Sequence, residues 1–341
     1  MNARGAAILV LLLAVLGGGA LLYQQQERSR RPENVGTLGK TLFKELQAAD
    51  IAAIRIAEPN AALTLKRQDE GWVLAERADF PADLSKVRDF VLKVIGLKVG
   101  QSEPLGEKDR ARLNLDASGT RVEFKGSDDK TLGVLTVGRK YFKREVENPD
   151  KAIADGRFVS LPGEGGTAYL VGDPLTQATV KTAEWIDRSS FQVEKVKTLQ
   201  VRYPGGEAWR IDRAADNAEW KLTGAKPGEK LDVSRANAAS YSLSLLELAD
   251  VAPKDEKDTG LDKPITIDAT TLEGAAYAIK VGRLVADNYY VAFTASGLKP
   301  DAKDAGRVKL LSQHVLRIPK SKLEDTLKKR SELLEKKAAK K

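Results

Sequence analysis

The chain has 341 residues, 42% of them hydrophobic and 30% charged, which is enough for two ordinary domains with a core each. It has no cysteine, which excludes disulfides, thiolate metal sites and cysteine nucleophiles together. The net charge of +8 sits at the two ends, and residues 32–319 carry 43 basic against 43 acidic side chains, a balance that excludes nucleic acid as a partner held by clustered charge.

After a tail of residues 1–5, Ala6 to Tyr23 form an uncharged run rich in Leu, Val and Ala. At about 1.5 Å per residue it reaches about 27 Å, enough to cross a bilayer core. The alternative is a secretory signal with Gly18, Gly19 and Ala20 as a small-residue cleavage site. The apolar run resumes at Leu21, Leu22 and Tyr23, so the expectation is an uncleaved single-pass transmembrane anchor. Arg4 with the α-amine against Arg28, Arg30 and Arg31 slightly favours a cytoplasmic body. A short basic start ahead of an apolar run is nonetheless how exported domains begin, and export is the orientation expected.

Residues 24–40 are polar and aperiodic, a juxtamembrane linker. Asn34 to Thr41 ends like a phosphate-binding loop at Gly39-Lys40-Thr41. It lacks both the leading glycine, where Asn34 stands, and the strand such a loop follows. No nucleotide or other cofactor is expected.

The body reads as an internal repeat of roughly 140 residues, over 41–180 and 195–319, joined by a connector at 181–194. Ile51 to Ile56, Leu63 to Lys66 and Gly71 to Leu74 alternate as strands, and Val196 to Val201, Ala208 to Ile211 and Glu219 to Leu222 match them. Trp72 and Trp220 fall at equivalent places. An amphipathic helix follows in each half. Asp83 to Leu97 spaces Leu84, Val87, Phe90, Val91, Val94 and Ile95 for one face, and Val233 to Leu248 does so with Ala236, Ala239, Leu243, Leu246 and Leu248. Next come Leu113-Asn114-Leu115-Asp116 against Thr259-Gly260-Leu261-Asp262, then Val137-Gly138-Arg139 against Val281-Gly282-Arg283. Closing strands are expected at Arg157 to Leu161 and Tyr169 to Val171, and at Asn288 to Phe293 and Val315 to Ile318. Short turns between strands predict mostly antiparallel sheets with a packed helix, an α+β fold. Lys320 to Lys341, with Leu323, Leu327 and Leu334 on one side, predicts a basic surface helix fraying into a tail.

Catalytic chemistry finds little to work with. His314, the single histidine, lies in an apolar strand-like stretch and reads as structural. Asp128 with Asp129, Glu145 with Glu147, and Asp255, Glu256 and Asp258 are carboxylate groups in turn-like loops, and none has calcium-loop spacing. No catalytic, metal or cofactor residue is therefore assigned, and an enzyme is not expected. A carboxylate-dependent hydrolase remains a second alternative. Trp72, Trp209 and Trp220 on predicted strands read as core, with a glycan or peptide platform as the first alternative. Arg139 and Arg283, each after a Val-Gly step, read as hairpin arginines that pair as anion contacts in the alternative. Arg139, Arg283 and Trp209 are the candidate ligand or partner contacts.

These landmarks resemble a bacterial family known as domain of unknown function 4340, over about residues 40–330. The residues that carry it are Leu42-Phe43, Gly71-Trp72, the Gly-Leu-Asp turn at Gly260 to Asp262 and the Val-Gly strands. The first copy departs from the pattern, with Asn114 in place of the glycine. The resemblance implies an inner-membrane, single-pass protein with a periplasmic body. Genes of the family often lie beside gliding-motility-type ABC transporter components. That implies an accessory or scaffold subunit whose partners are an ABC permease and ATPase, met through sheet edges or the groove between repeats.

Overall fold

The computed structural model describes residues 38–69, 71–163, 166–299 and 304–335. The expected anchor at 6–23 lies outside them, and no helix among the described residues is long and apolar enough to cross a membrane. What is described is mostly antiparallel sheet with a few helices, an α+β fold.

The strands of the first half are β1 (Ala53–Glu58), β2 (Ala61–Gln68), β3 (Gly71–Leu74), β4 (Phe80–Pro81), β5 (Val99–Pro104), β6 (Thr120–Lys125), β7 (Thr131–Tyr141), β8 (Gly156–Ser160) and β9 (Thr167–Val171). Those of the second are β10 (Val196–Arg202), β11 (Ala208–Asp212), β12 (Lys221–Leu222), β13 (Asp250–Val251), β14 (Ile265–Thr271), β15 (Ala276–Val285), β16 (Asn288–Ser296) and β17 (Leu316–Pro319). They form a nine-stranded sheet in the order β4-β3-β2-β1-β6-β7-β8-β9-β5 and an eight-stranded sheet in the order β12-β11-β10-β14-β15-β16-β17-β13. Leaving out β4, the two orders coincide strand for strand. Helix α1 (Leu84–Ile95) precedes β5, and α3 (Val233–Tyr241) precedes β13 at the same place in the second half. The halves differ in their small helices: α2 (Glu107–Arg112) lies between β5 and β6, and α4 (Ala305–Leu311) between β16 and β17. The seven ladders of the second sheet are antiparallel.

Two compact units result. Of the described residues, one comprises those at 38–51, 58–60 and 90–178; the other comprises those at 52–57, 61–89 and 179–335. In the first, alternate residues of β6 and β7 (Val122, Phe124, Leu135, Val137) are buried, as the period of two requires. Phe90 of α1 stacks on Phe124 at 6.4 Å, and Phe43 meets Phe124 edge-on at 6.2 Å. In the second unit, Leu199, Val201, Ile267, Ala269, Ile279 and Val281 are buried in the same alternation. Phe191 stacks on Phe293 at 3.8 Å. Residues 61–89 are tied into this unit. Arg77 Nε and Nη2 hold the Asp250 carboxylate at 2.8 and 3.0 Å, and Lys86 Nζ donates to the Ile186 carbonyl at 2.8 Å.

Several expectations shift. Leu84 is 59% exposed, because Asp83 caps α1 and Leu84 stands at its first position, outside the buried stripe of Val87, Phe90, Val91 and Val94. The second helix stops at Tyr241, not at Leu248. Ser242 and Ser244 there donate their hydroxyls to carbonyls three residues back, and the chain tightens into a 3₁₀ turn at Ser242–Ser244. The connector is core: Trp185 and Ile186 have no exposed surface, and the Trp185 indole donates to the Thr179 carbonyl. Strands β6 and β14, central in their sheets, were not among those expected. The C-terminal segment is no surface helix either. Among its described residues the only α-turn is α5 (Lys320–Leu323), a 3₁₀ turn follows at Arg330–Leu333, and Leu323, Thr326 and Leu333 are fully buried. Residues 336–341 lie outside the described residues.

Candidate functional site

The paired Val-Gly-Arg steps are held by one local device used twice. Each interrupts a ladder with a bulge: the register of β7 on β8 shifts between Val137 and Lys140, and that of β15 on β16 between Val281 and Leu284. The bulge leaves one backbone N–H free to turn aside. Arg139 N–H donates to the Leu113 carbonyl at 2.7 Å, and Arg283 N–H donates to the Thr259 carbonyl at 2.7 Å. The accepting carbonyl sits over the glycine. A Cβ on Gly138 or Gly282 would fall on that oxygen, closer than real carbon and oxygen atoms come. The residue after each accepting carbonyl is left-handed, Asn114 at φ 53° and Gly260 at φ 71°. Asn tolerates that conformation best among residues with a side chain, so the first copy keeps the turn without its glycine. The turn motif and the Val-Gly motif are thus two sides of one contact.

The arginines that follow are exposed on both strands. Arg139 belongs to the first unit, and Arg283 and Trp209 to the second. Arg139 lies in a groove of about 450 Å³ whose charged walls are Arg112, Arg139, Lys140, Lys143, Arg144 and a single carboxylate, Glu145. Phe142, Val146 and Phe158 complete it, with Tyr141 edge-on to Phe158 at 5.9 Å. Two of the cations are occupied. Arg112 pairs with Asp109 at 3.0 Å, and Lys140 Nζ donates to the carbonyls of Pro149 and Asp150 at 3.0 and 3.1 Å. Among the described residues no carboxylate pairs with Arg139, Lys143 or Arg144. Arg157 stands opposite Lys140 across the ladder, an unfavourable like-charge pair, and burial draws its pKa down. The groove is suited to an anion. Its signal was present in the sequence: Arg139, Lys140, Lys143 and Arg144 put four cations into six residues around Tyr141 and Phe142.

The tryptophans are spent internally. Trp209 is 2% exposed, and its indole N–H donates to the Lys328 carbonyl at 2.7 Å; the Tyr203 hydroxyl donates to the same oxygen and to that of Leu327. Trp72 and Trp220 are buried under Arg67 and Arg213, whose guanidinium carbons lie 5.3 and 4.7 Å from the ring centres. The Trp220 indole also donates to Asn237 Oδ1 at 2.9 Å.

His314 occupies the bend before β17, its ring edge-on to Phe80 at 5.1 Å, and burial pushes its pKa below the ordinary value. It lines a groove of about 960 Å³ with Trp72, Asp79, Lys254 and Gln313. The carboxylate groups are solvated turns. Asp128 accepts from the Lys130 N–H and Asp129 pairs with Lys125, while Glu145, Glu147, Asp255, Glu256 and Asp258 are exposed. No trio of His, Cys, Asp or Glu among the described residues is grouped to hold a metal. Of the phosphate-loop-like stretch, Gly39 N–H donates to the Val99 carbonyl and Lys40 accepts from the Val99 N–H, so its described backbone pairs with the start of β5.

No curated protein and no solved structure matches the chain. The family described as domain of unknown function (DUF4340) matches over residues 72–264, which includes the paired tryptophans, both turns and Gly138. That match covers more than half of the sequence, and the chain belongs to this family.

Proposed function

We propose that the chain is a non-catalytic accessory or scaffold subunit of an ABC-type transport complex, held to the bacterial inner membrane by residues 6–23 with its body in the periplasm. The observation that supports a binding role is where the family landmarks are spent. The Val-Gly glycines, the turn carbonyls and the tryptophans all satisfy the chain's own backbone and core. Function then falls to exposed surface. Edge pairing with a partner strand is poorly supported at three of the four sheet edges, since β4, β12 and β13 have two residues each and β4 ends on Pro81. The fourth edge, β5, has six residues, is paired at its start with Gly39 and Lys40, and ends on Pro104. The groove around Arg139 is the better contact, with unpaired cations beside apolar side chains.

The test is recovery of the full chain from native membranes in mild detergent, with co-purifying proteins identified by mass spectrometry. An ABC permease and ATPase at comparable amounts are expected. A chain that purifies alone as a monomer sinks this reading.

A further inference from the structure

As a scaffold contact the groove around Arg139 has cations with no assigned counterpart, and the connection from β7 to β8, which carries much of that groove, bears on what they meet. Its base is fastened: Asp155 N–H donates to the Tyr141 carbonyl, the Asp155 carboxylate accepts from the Lys143 N–H, and Lys140 clamps the carbonyls of Pro149 and Asp150. On this fastened base Ile153 is 88% exposed, the most exposed large apolar side chain of the described residues. Lys143 and Arg144 are exposed and unpaired among the described residues, and Phe142 and Val146 are half-buried beside them. Of the connection's other carboxylates Glu145 lines the groove beside these cations, while Glu147 and Asp150 do not.

The register places this connection at one end of the sheet, together with the chain's entry into the fold. Lys140 is opposite Arg157, Arg157 is opposite Val171, Val171 is opposite Val99, and Val99 is hydrogen-bonded to Gly39 and Lys40. Those four strand steps, at about 4.8 Å each, span about 19 Å. The 14 residues from 24 to 37 separate that row from the expected anchor and reach about 50 Å at most when extended. With residues 6–23 read as the anchor, the end of the sheet that carries the cations is the end the tether joins.

We propose that the β7–β8 connection docks on the anionic lipid surface beside the chain's own anchor. Arg139, Lys143 and Arg144 meet lipid phosphates there, and Ile153 enters the headgroup layer. This rests on the reading of residues 6–23 as a membrane anchor.

The chain has no cysteine, so Ile153→Cys in the full-length protein takes a single environment-sensitive fluorophore. A second labelled variant, Leu132→Cys, reports from the opposite end of β7 in the same unit, at a position 36% exposed. Both are reconstituted into vesicles of phosphatidylcholine alone or mixed with phosphatidylglycerol, and quenching by spin-labelled lipid is read. The probe at 153 is expected to be quenched in the anionic vesicles and not in the neutral ones, while the probe at 132 stays unquenched. Reversing Lys143 and Arg144 to Glu, at exposed positions that leave the fold intact by circular dichroism, is expected to lower the docked population about fivefold per residue. Equal quenching in both vesicle types, or indifference to the reversals, overturns the anion contact. No quenching at 153 in vesicles that carry the protein overturns docking and leaves the anchor standing. A chain that fails to float with vesicles removes the anchor, and docking falls with it. Shielding of the probe by a polyglutamate peptide, where vesicles have no effect, gives the surface to an acidic protein and overturns the lipid assignment.

Discussion

Gly138 and Gly282 are glycines because another part of the chain needs their space. Gly138→Ala and Gly282→Ala should each cost about 1–3 kcal/mol, measured by urea unfolding, since the turn carbonyl must move and the bulge N–H loses its acceptor. The left-handed residue of the turn behaves otherwise. Asn114→Gly should leave stability within about 1 kcal/mol, while Asn114→Val should lose about 1–2 kcal/mol. Two titrations follow from burial. Burial, with Glu207 adding to it, raises the Tyr203 hydroxyl from 10.0 to about 12. The folded state thus holds a proton that the unfolded state releases, so this contribution is complete below pH 10 and is lost as pH rises toward about 12. Tyr203→Phe should flatten that part of the alkaline unfolding curve. His314 has the opposite slope. With its pKa lowered by burial, the unfolded state takes up a proton first, so its contribution is present above about pH 6.5 and declines on acidification below it. His314→Leu should make the melting temperature less sensitive to pH between about 6.5 and 5.

Most elements with strong periodicity were legible, and those defined by distant contacts were not. Strands β6 and β14 are exceptions, since Val122 with Phe124 and Ile267 with Ala269 alternate as plainly as in the strands that were expected. Alternation located β2, β3, β8 and β16, and the order of landmarks located both Val-Gly strands. Nothing local showed that Ser242 would end α3, since a serine is tolerated inside a helix until its hydroxyl takes a backbone carbonyl. The burial of Trp185 is set by residues distant in sequence and not by spacing, so nothing local announces it. In the C-terminal segment dense Lys and Glu hide Leu333, and Leu323, expected on one side of a surface helix, is fully buried with it; the segment's carbonyls serve Trp209, Tyr203 and Arg235. Trp209→Phe, which leaves the Lys328 carbonyl with one donor fewer, should destabilise by about 1–3 kcal/mol. Trypsin should then cut faster at Lys328 and Lys329, read by mass spectrometry of the fragments.

Across the whole chain, two sheets share one strand order, β4 apart, while the compact units ignore the midpoint of the sequence, since β1 up to Ala57, β2, β3 and β4 cluster with the second half. Strand order is legible from repeated landmarks because it follows local turns. Unit membership is not, because it depends on contacts such as Arg77 with Asp250, 173 residues apart. The groove at Arg139 fell between these cases. Its residues are contiguous and readable, but charge in a loop means little until the fold shows which cations remain unpaired.

The burial of Leu333 also sets an order of events. Asp232 N–H donates to the Leu333 carbonyl and Leu231 bridges Leu334, so a segment early in the second half waits for residues a hundred positions later. A ribosome must have made residue 334 before this unit can close. If the chain is exported as it is synthesised, its second half crosses the membrane as an open thread and acquires its final shape only on the far side.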